Sequence, residues 1–404
     1  MLFQNIVIKC SERYYFGSTG KAYRKSYGKT INGKKYGFDD DGKMLFGYVE
    51  DNSYNIINDD EDPILNATYY FGTNEDGARH SGWLQYTDAL TDKDDDYYWF
   101  YFNTSNGKKV TAQTKNINGK KYSFDTQGVM NFKWAKSSYD SVKDQTLTSW
   151  YGKLEDGALA KNQWIWNKPY SDAQLPSTLA DVSDETERWF RTDASGNLVK
   201  GQTKKVNSKW YAFDEDGVMR TGLIRLDKPA VSGATVTAAG CYDMDTVEKS
   251  DIQTKNGDAA RALHYFSEDE DRDGSMKTGT IKIELADDEY TFCFTKTTGA
   301  AKHGYDSSSK KVYNNGILEK ADDDKYVVVK NPEQKEGQSE YYLVGSTGTV
   351  VTAVNKYKDA NDKYYVVLKD GNEYRIKSTY DEGVAKKAVS EKSFANVTMT
   401  DECN

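Results

Sequence analysis

The chain has 404 residues, of which 37% are hydrophobic, 13% aromatic and 29% charged, with a formal net charge of −9. That acidity excludes phosphate-backbone recognition, which needs a basic stripe, and no apolar run reaches the ~18 residues of a transmembrane span. A mean hydropathy of −0.83 argues against one large core, whereas 31 Tyr, 15 Phe and 8 Trp suit a thin protein packed by rings with wet polar tips.

Leu2–Ile8 is mildly apolar but has no basic segment before it and no small-residue cleavage site after it. Repeat-like sequence starts at once, at Arg13-Tyr14-Tyr15-Phe16. The chain is therefore expected to begin inside a repeat array, as an excised region would. One phrase then recurs. Asn32-Gly33-Lys34-Lys35-Tyr36-Gly37-Phe38-Asp39, with Gly42 and Met44, returns as Asn118 to Asp125 with Gly128 and Met130. It returns again as Asn207 to Asp214 with Gly217 and Met219. Each copy reads as a β-hairpin. Asn-Gly or Asn-Ser is turn chemistry, Lys-Lys-Tyr-x-Phe alternates with period two, and the later Gly calls for positive φ before a short return strand.

Two other hairpin types fall between these copies. One comprises Tyr69-Tyr70-Phe71 with Gly77 and Gly82-Trp83, Trp150-Tyr151 with Gly157 and Trp164, and Tyr265-Phe266 with Gly274 and Gly279. The other comprises Tyr14-Tyr15-Phe16 with Gly20, Trp99-Phe100-Tyr101-Phe102 with Gly107, and Trp189-Phe190 with Gly196. The superperiod is about 86 to 89 residues, three hairpins per unit. A lone hairpin is marginal in water, so each must bury its aromatic face on a neighbour.

The pattern predicts an all-β protein: an elongated, repetitive β-hairpin solenoid with a diverged β-hairpin C-terminal part. Residues 1–226 form the array. Residues 227–263 are an insertion or linker. Residues 264–382 are diverged hairpins with more aliphatic strands, such as Tyr326–Val329 and Tyr364–Leu368, and 383–404 are a polar tail or cap. No long amphipathic helix is expected.

Chemistry is sparse. Cys10, Cys241, Cys293 and Cys403 are scattered without CxxC, so no disulfide framework or zinc site follows. His80, His264 and His303 lack metal-ligand spacing, and no nucleotide-binding or nucleophile-elbow motif is present. Acidic runs read as solvated turn tips. Asp269, Asp271, Asp273 and Gly274 match the start of a calcium loop, but Thr280 stands where its bidentate carboxylate belongs. An ordinary turn is expected there, with calcium as the alternative. No cofactor and no catalytic activity are expected, since acid/base work needs a carboxylate pair held in a cleft.

These phrases are similar to the cell-wall-binding repeats of Gram-positive surface proteins, a superfamily with choline-binding, glucan-binding and clostridial-toxin branches. The resemblance rests on Gly82-Trp83 followed by Trp99-Phe100-Tyr101-Phe102 and Gly107. It rests also on Trp210-Tyr211-Ala212-Phe213 followed by Gly217, Met219 and Gly222. It runs from about Tyr14 to Gly222, with a further copy near Tyr265–Gly279. What it implies is a secreted or wall-associated, non-catalytic binding module. Its partner would be cell-wall polysaccharide, a teichoic-acid-type polymer or a host glycan. The alternatives are the targeting region of a wall-active enzyme whose catalytic domain is missing, and a structural spacer without small ligand.

A choline box, as the resemblance implies it, would join the Gly-Trp ring to strand rings of the next repeat. By strand parity, Tyr36, Tyr122 and Tyr211 are assigned to the packed face of the phrase. Lys35, Lys121 and Trp210, with the residues two positions on, are assigned to the exposed face. Lysine where a ring should be disfavours choline, and sugar stacking is preferred. The groove candidates are Trp83 with Trp99 and Tyr101, Trp134 with Trp150, and Trp164 with Trp189, plus Trp210.

Overall fold

Asn32 and Gly33 both take positive φ (48° and 81°), as do Asn118 with Gly119 and Asn207 with Ser208. Two successive positive-φ residues make the type I′ turn, whose twist matches that of the strands it joins. In the computed structural model, Ser26–Ile31 accordingly pairs with Lys34–Phe38, Gln113–Ile117 with Lys120–Phe124, and Gln202–Val206 with Lys209–Phe213. The structure describes all residues except 1–5, 10–11, 59–60, 91–96, 136–149, 154, 168–186, 255–262, 269–272, 287 and 396–404; for 6–9, 133–135, 150 and 254 it describes the backbone alone. Cys10, Cys403, Asp269 and Asp271 lie outside the described residues.

The second turn of each phrase is built by its aspartate. Asp39 Oδ1 accepts from the N–H of Asp41 and Lys43, Asp125 Oδ1 from Gln127 and Val129, and Asp214 Oδ1 from Asp216 and Val218, all at 2.8–3.0 Å. These carboxylates fold the chain back on itself.

The chain divides into two units, residues 1–163 with 192–198, and 164–191 with 199–404. In the first, one hairpin follows another: Ile6–Lys9 with Glu12–Tyr15, the first phrase, Tyr48–Val49 with Tyr69–Tyr70, Gly82–Tyr86 with Tyr98–Phe102, the second phrase, and Lys133–Ala135 with Trp150–Gly152. The return residue of each hairpin donates its N–H to the second strand of the hairpin before, or to the residue just ahead of that strand. Met44 donates to Arg13 O, Arg79 to Lys35 O, Lys109 to Thr68 O, Met130 to Trp99 O and Leu159 to Lys121 O, at 2.7–2.8 Å. Cores are correspondingly small and serial, such as Ile31, Tyr36, Phe38 and Met44, then Leu45, Val49, Tyr69 and Phe71. No single large core was expected at this hydropathy.

The second unit holds Trp164–Asn167 with Arg188–Arg191, the third phrase, and Gly222–Arg225 with Leu263–Phe266. Residues 227–254 pack rather than loop out: Ala230, Ala234 and Val236 are fully buried with Ala212 and Phe266, and Val247 and Ile252 join a core with Phe292 and Ile317. Further along, the strands depart from a plain hairpin run. Gly279–Leu285, Asp288–Phe294, Gly304–Asp306, Lys311–Asn314 and Ile317–Leu318 form one five-stranded antiparallel sheet, and Asn355–Lys358, Tyr364–Asp370 and Glu373–Thr379 form a three-stranded one. Helix Glu382–Glu391, which the sequence reading did not foresee, closes the latter. Asp381 caps it, accepting from Val384 N at 3.1 Å, and Ala385 and Ala388 bury against Tyr364, Val366 and Leu368. Two small residues four and seven positions into a polar helix make a narrow apolar stripe, too weak a signal to read in sequence.

The face assignment in the phrase needs correcting. Tyr36 and Phe38 are buried as expected, but so are Gly37, Ser123 and Ala212, assigned to the exposed face. The ring of Phe71 from the next hairpin leaves no room for a Cβ on Gly37, and Ser123 Oγ accepts from Asn131 Nδ2 at 2.9 Å. Both faces of the strand are covered because the next hairpin packs on the second one.

Candidate functional site

Two clusters of rings share one construction. In the first unit, Trp83 stands opposite Tyr101 in the ladder, with Gln85 opposite Trp99. Trp83 meets Trp99 edge-on at 6.1 Å, Tyr101 at 5.1 Å and Tyr122 of the following phrase at 4.8 Å, and lies tilted over Phe124 at 5.8 Å. In the second unit, Trp164 stands opposite Arg191, with Trp166 opposite Trp189. Trp164 meets Trp189 edge-on at 6.1 Å, Tyr211 at 4.8 Å and Phe213 at 5.7 Å. The period-two alternation of each strand places these rings together on one face.

The two clusters differ in what fills them. Around Trp83, Tyr101, Tyr122 and Met130 are all buried, and Trp83 and Trp99 pack against that core. Around Trp164, Arg191 replaces Tyr101 and holds its guanidinium 5.5 Å from the ring centre. Tyr211 and Met219 are only half-buried there. The result is a cavity of about 180 Å³ lined by Trp164, Trp189, Tyr211, Met219 and Asp273. Met219 is held by the turn of the next hairpin: a Cβ on Gly274 would collide with its thioether, and φ of 53° suits glycine. Trp189 Nε1 is buried without an acceptor among the described residues.

Asp273 sits at the edge of this cavity between two ammonium groups, Lys209 at 2.9 Å and Lys277. Burial alone would raise its carboxyl, but hydrogen bonds from Lys277, Lys209 and Ser275 outweigh that and hold it at about 2. Its lone pairs are thus spoken for by lysines in a turn. No group of three or more metal-ligating side chains occurs among the described residues. Burial lowers the pKa of Arg191, which stays cationic beside Trp164.

Of the other candidates, Trp210 stands opposite Lys205 in its hairpin, half-buried, with no ring against it among the described residues. Trp134 is opposite Tyr151 and Trp150 opposite Ala135; their side chains lie outside the described residues. His80 is half-buried. It packs edge-on against Phe102 at 5.5 Å, and its Nε2 lies 3.0 Å from Trp83 O. Sequence reasoning missed Tyr122, Tyr211, Met219 and Arg191. The first two are legible as the Tyr of the phrase and pack as parity assigns them, Tyr122 buried and Tyr211 half-buried; the face they share meets the tryptophan of the hairpin before.

No protein-family model and no curated protein matches the sequence. Among solved structures, the chain is similar to the modular autolysin LytC of Streptococcus pneumoniae, at 15% identity over 86% of this chain and 53% of that one, with a TM-score of 0.40. It is similar to CbpJ of Streptococcus pneumoniae TIGR4, at 17% identity over 86% and 99%, TM-score 0.42. It is also similar to choline binding protein F of Streptococcus pneumoniae, at 18% identity over 79% and 99%, TM-score 0.31. The chain spans about half the length of the autolysin. Likenesses this distant assign no role to any residue of this chain.

Proposed function

We propose that this chain is a non-catalytic, secreted or wall-associated binding module that holds a cell-wall glycan at the Trp164–Trp189–Tyr211 cavity. The observation that carries the reading is an open, three-ring wall with Asp273, Lys209 and Lys277 at its edge. Rings take the C–H face of a sugar, while charged side chains exchange hydrogen bonds with its hydroxyls. The resemblance of the repeat phrase to cell-wall-binding repeats supports a wall polymer as the source. No helix among the described residues is long and apolar enough to cross a membrane.

The charge around the cavity supports a saccharide over a quaternary ammonium. A quaternary ammonium gains about 0.5–2 kcal/mol from cation–π attraction. Here it would enter beside Arg191, Lys209 and Lys277, against one carboxylate that both lysines already engage. A neutral or anionic saccharide meets no such repulsion, and a teichoic-acid-type polymer gains from it.

The test is retention on purified cell-wall polysaccharide and on teichoic acid. Trp189→Ala and Tyr211→Ala should weaken retention at least tenfold, about 1.4 kcal/mol, while Lys115→Ala near the filled cluster should not. Unchanged retention by both ring variants sinks the groove reading. Release of the bound chain by free choline replaces the saccharide with a quaternary ammonium.

A further inference from the structure

A cleft of about 870 Å³ opens in the first unit and shares no residue with either tryptophan cluster. It lies where the connection between Tyr48–Val49 and Tyr69–Tyr70 is lengthened to residues 50–68. Tyr54 on its wall has φ of 59°, a region that a bulky residue rarely enters. The ring is held there all the same. Tyr54 N donates to Tyr27 Oη at 3.1 Å. Its ring stacks on Tyr27 at 4.4 Å and 14°, and Tyr27 stacks on Tyr69 at 4.4 Å and 13°. The outermost ring of this three-tyrosine stack is half-buried and lines the cleft.

The rest of the cleft is floored by buried Met44 and Leu45. Its cations are engaged by the protein: Lys43 pairs with Glu12 at 2.8 Å, and the Arg13 guanidinium donates to the carbonyls of Asn74 and Glu75. Glu50 and Asp39 line the same wall; Asp39 Oδ1 accepts from the N–H of Asp41 and Lys43 and Glu50 Oε2 from Ser53 Oγ at 3.0 Å, so Asp39 Oδ2 and Glu50 Oε1 are the acceptors offered to a ligand. A rigid ring, an apolar floor and carboxylate acceptors, in a volume within the usual range for ligand sites, fit a sugar chain.

We propose that this cleft binds a neutral, hydroxyl-rich oligosaccharide, one sugar resting its C–H face on Tyr54 while its hydroxyls donate to Glu50 and Asp39. Beyond the Glu12–Lys43 pair the lining carries Asp39, Glu50 and Glu61 against Arg13 alone, so the cleft disfavours phosphate and uronate, the anionic groups that the Trp164 cavity accepts. It is a second site of different selectivity.

Calorimetric titration with malto-, cello- and N-acetylchito-oligosaccharides tests this in the full chain carrying Trp189→Ala, so that the other cavity does not contribute. At least one series should bind, and Tyr54→Gly should weaken it tenfold or more. Glycine adopts the positive φ freely, so the turn is kept while the ring is lost. Glu50→Gln should weaken binding threefold or more with the tyrosine stack intact, and it decides the matter if Tyr54→Gly lowers the melting point. The proposal is overturned if no series binds, if both variants bind like the parent, or if teichoic acid competes for the cleft. Failure here leaves wall retention through Trp189 untouched, so the two sites are judged separately.

Discussion

Lys209 reaches Asp273, 64 residues on, at 2.9 Å. Lys34 meets Asp76 at 2.9 Å and Lys120 meets Asp156 at 2.7 Å in the same way. The first lysine of each phrase thus pins the aspartate just before the turn glycine of the following hairpin. Beneath each pair, the Met of the phrase rests on that glycine: Met44 on Gly77, Met130 on Gly157, Met219 on Gly274. The joint between hairpins is therefore a repeated unit, one ion pair over one methionine–glycine contact.

Asp273 makes that joint sensitive to acid. Its folded carboxyl titrates at about 2, against 3.8 for the unperturbed group. A depressed carboxyl contributes stability above the unfolded value and loses it as pH falls through the folded one. The second unit should lose this contribution between about pH 4 and pH 2, and Asp273→Asn should abolish that part of the pH dependence in a series of thermal melts.

Lys109 should make stability depend on pH in the alkaline range, again rising with pH, because burial disfavours its charged form. It is buried, its ammonium donating to Ile64 O at 2.5 Å and Leu65 O at 2.8 Å, and burial lowers it to about 8 from 10.5. Between those values the unfolded chain holds the extra proton, so stability should rise with pH across that window. Lys109→Met should flatten the rise, as read by denaturant melts from pH 7 to pH 10.

Ser208 occupies a type I′ position at φ of 70°, where the other two phrases have glycine. A non-glycine residue there is strained. Ser208→Gly should stabilise the second unit by about 0.5–1 kcal/mol, measured as a raised denaturation midpoint at unchanged m-value.

Gly157 should tolerate no side chain. A Cβ would collide with Met130, at a φ of 68°. Gly157→Ala should cost about 1–3 kcal/mol. Met130→Ala in the same chain should restore only the collision's share, leaving the backbone strain, and a double-mutant cycle separates the two.

How much of this was legible follows from the range of each interaction. The phrase announced its hairpins because turn and alternation are properties of neighbouring residues: Asn32-Gly33 demands a tight turn, and Tyr36 and Phe38 must share a face. Trp83 with Trp99 and Trp164 with Trp189 were legible as groupings for the same reason, since each pair is joined by one ladder. What Tyr211 packs against was not legible because its partner, Trp164, belongs to another hairpin, and parity fixes a face without saying what lies against it. Helix Glu382–Glu391 was missed because its buried stripe is two alanines.

The sequence by itself determined an all-β chain of hairpins, their turns, their periodicity and the ring-rich strands between them. These follow from backbone torsion and two-residue alternation, which act locally. Only the tertiary structure decided which of two like-built clusters is open and which is filled. That depends on Arg191 standing where Tyr101 stands, and on how far Tyr211 and Met219 are covered by the hairpin that follows. Burial is settled by neighbours distant in sequence, so no pattern within a single repeat could have shown it.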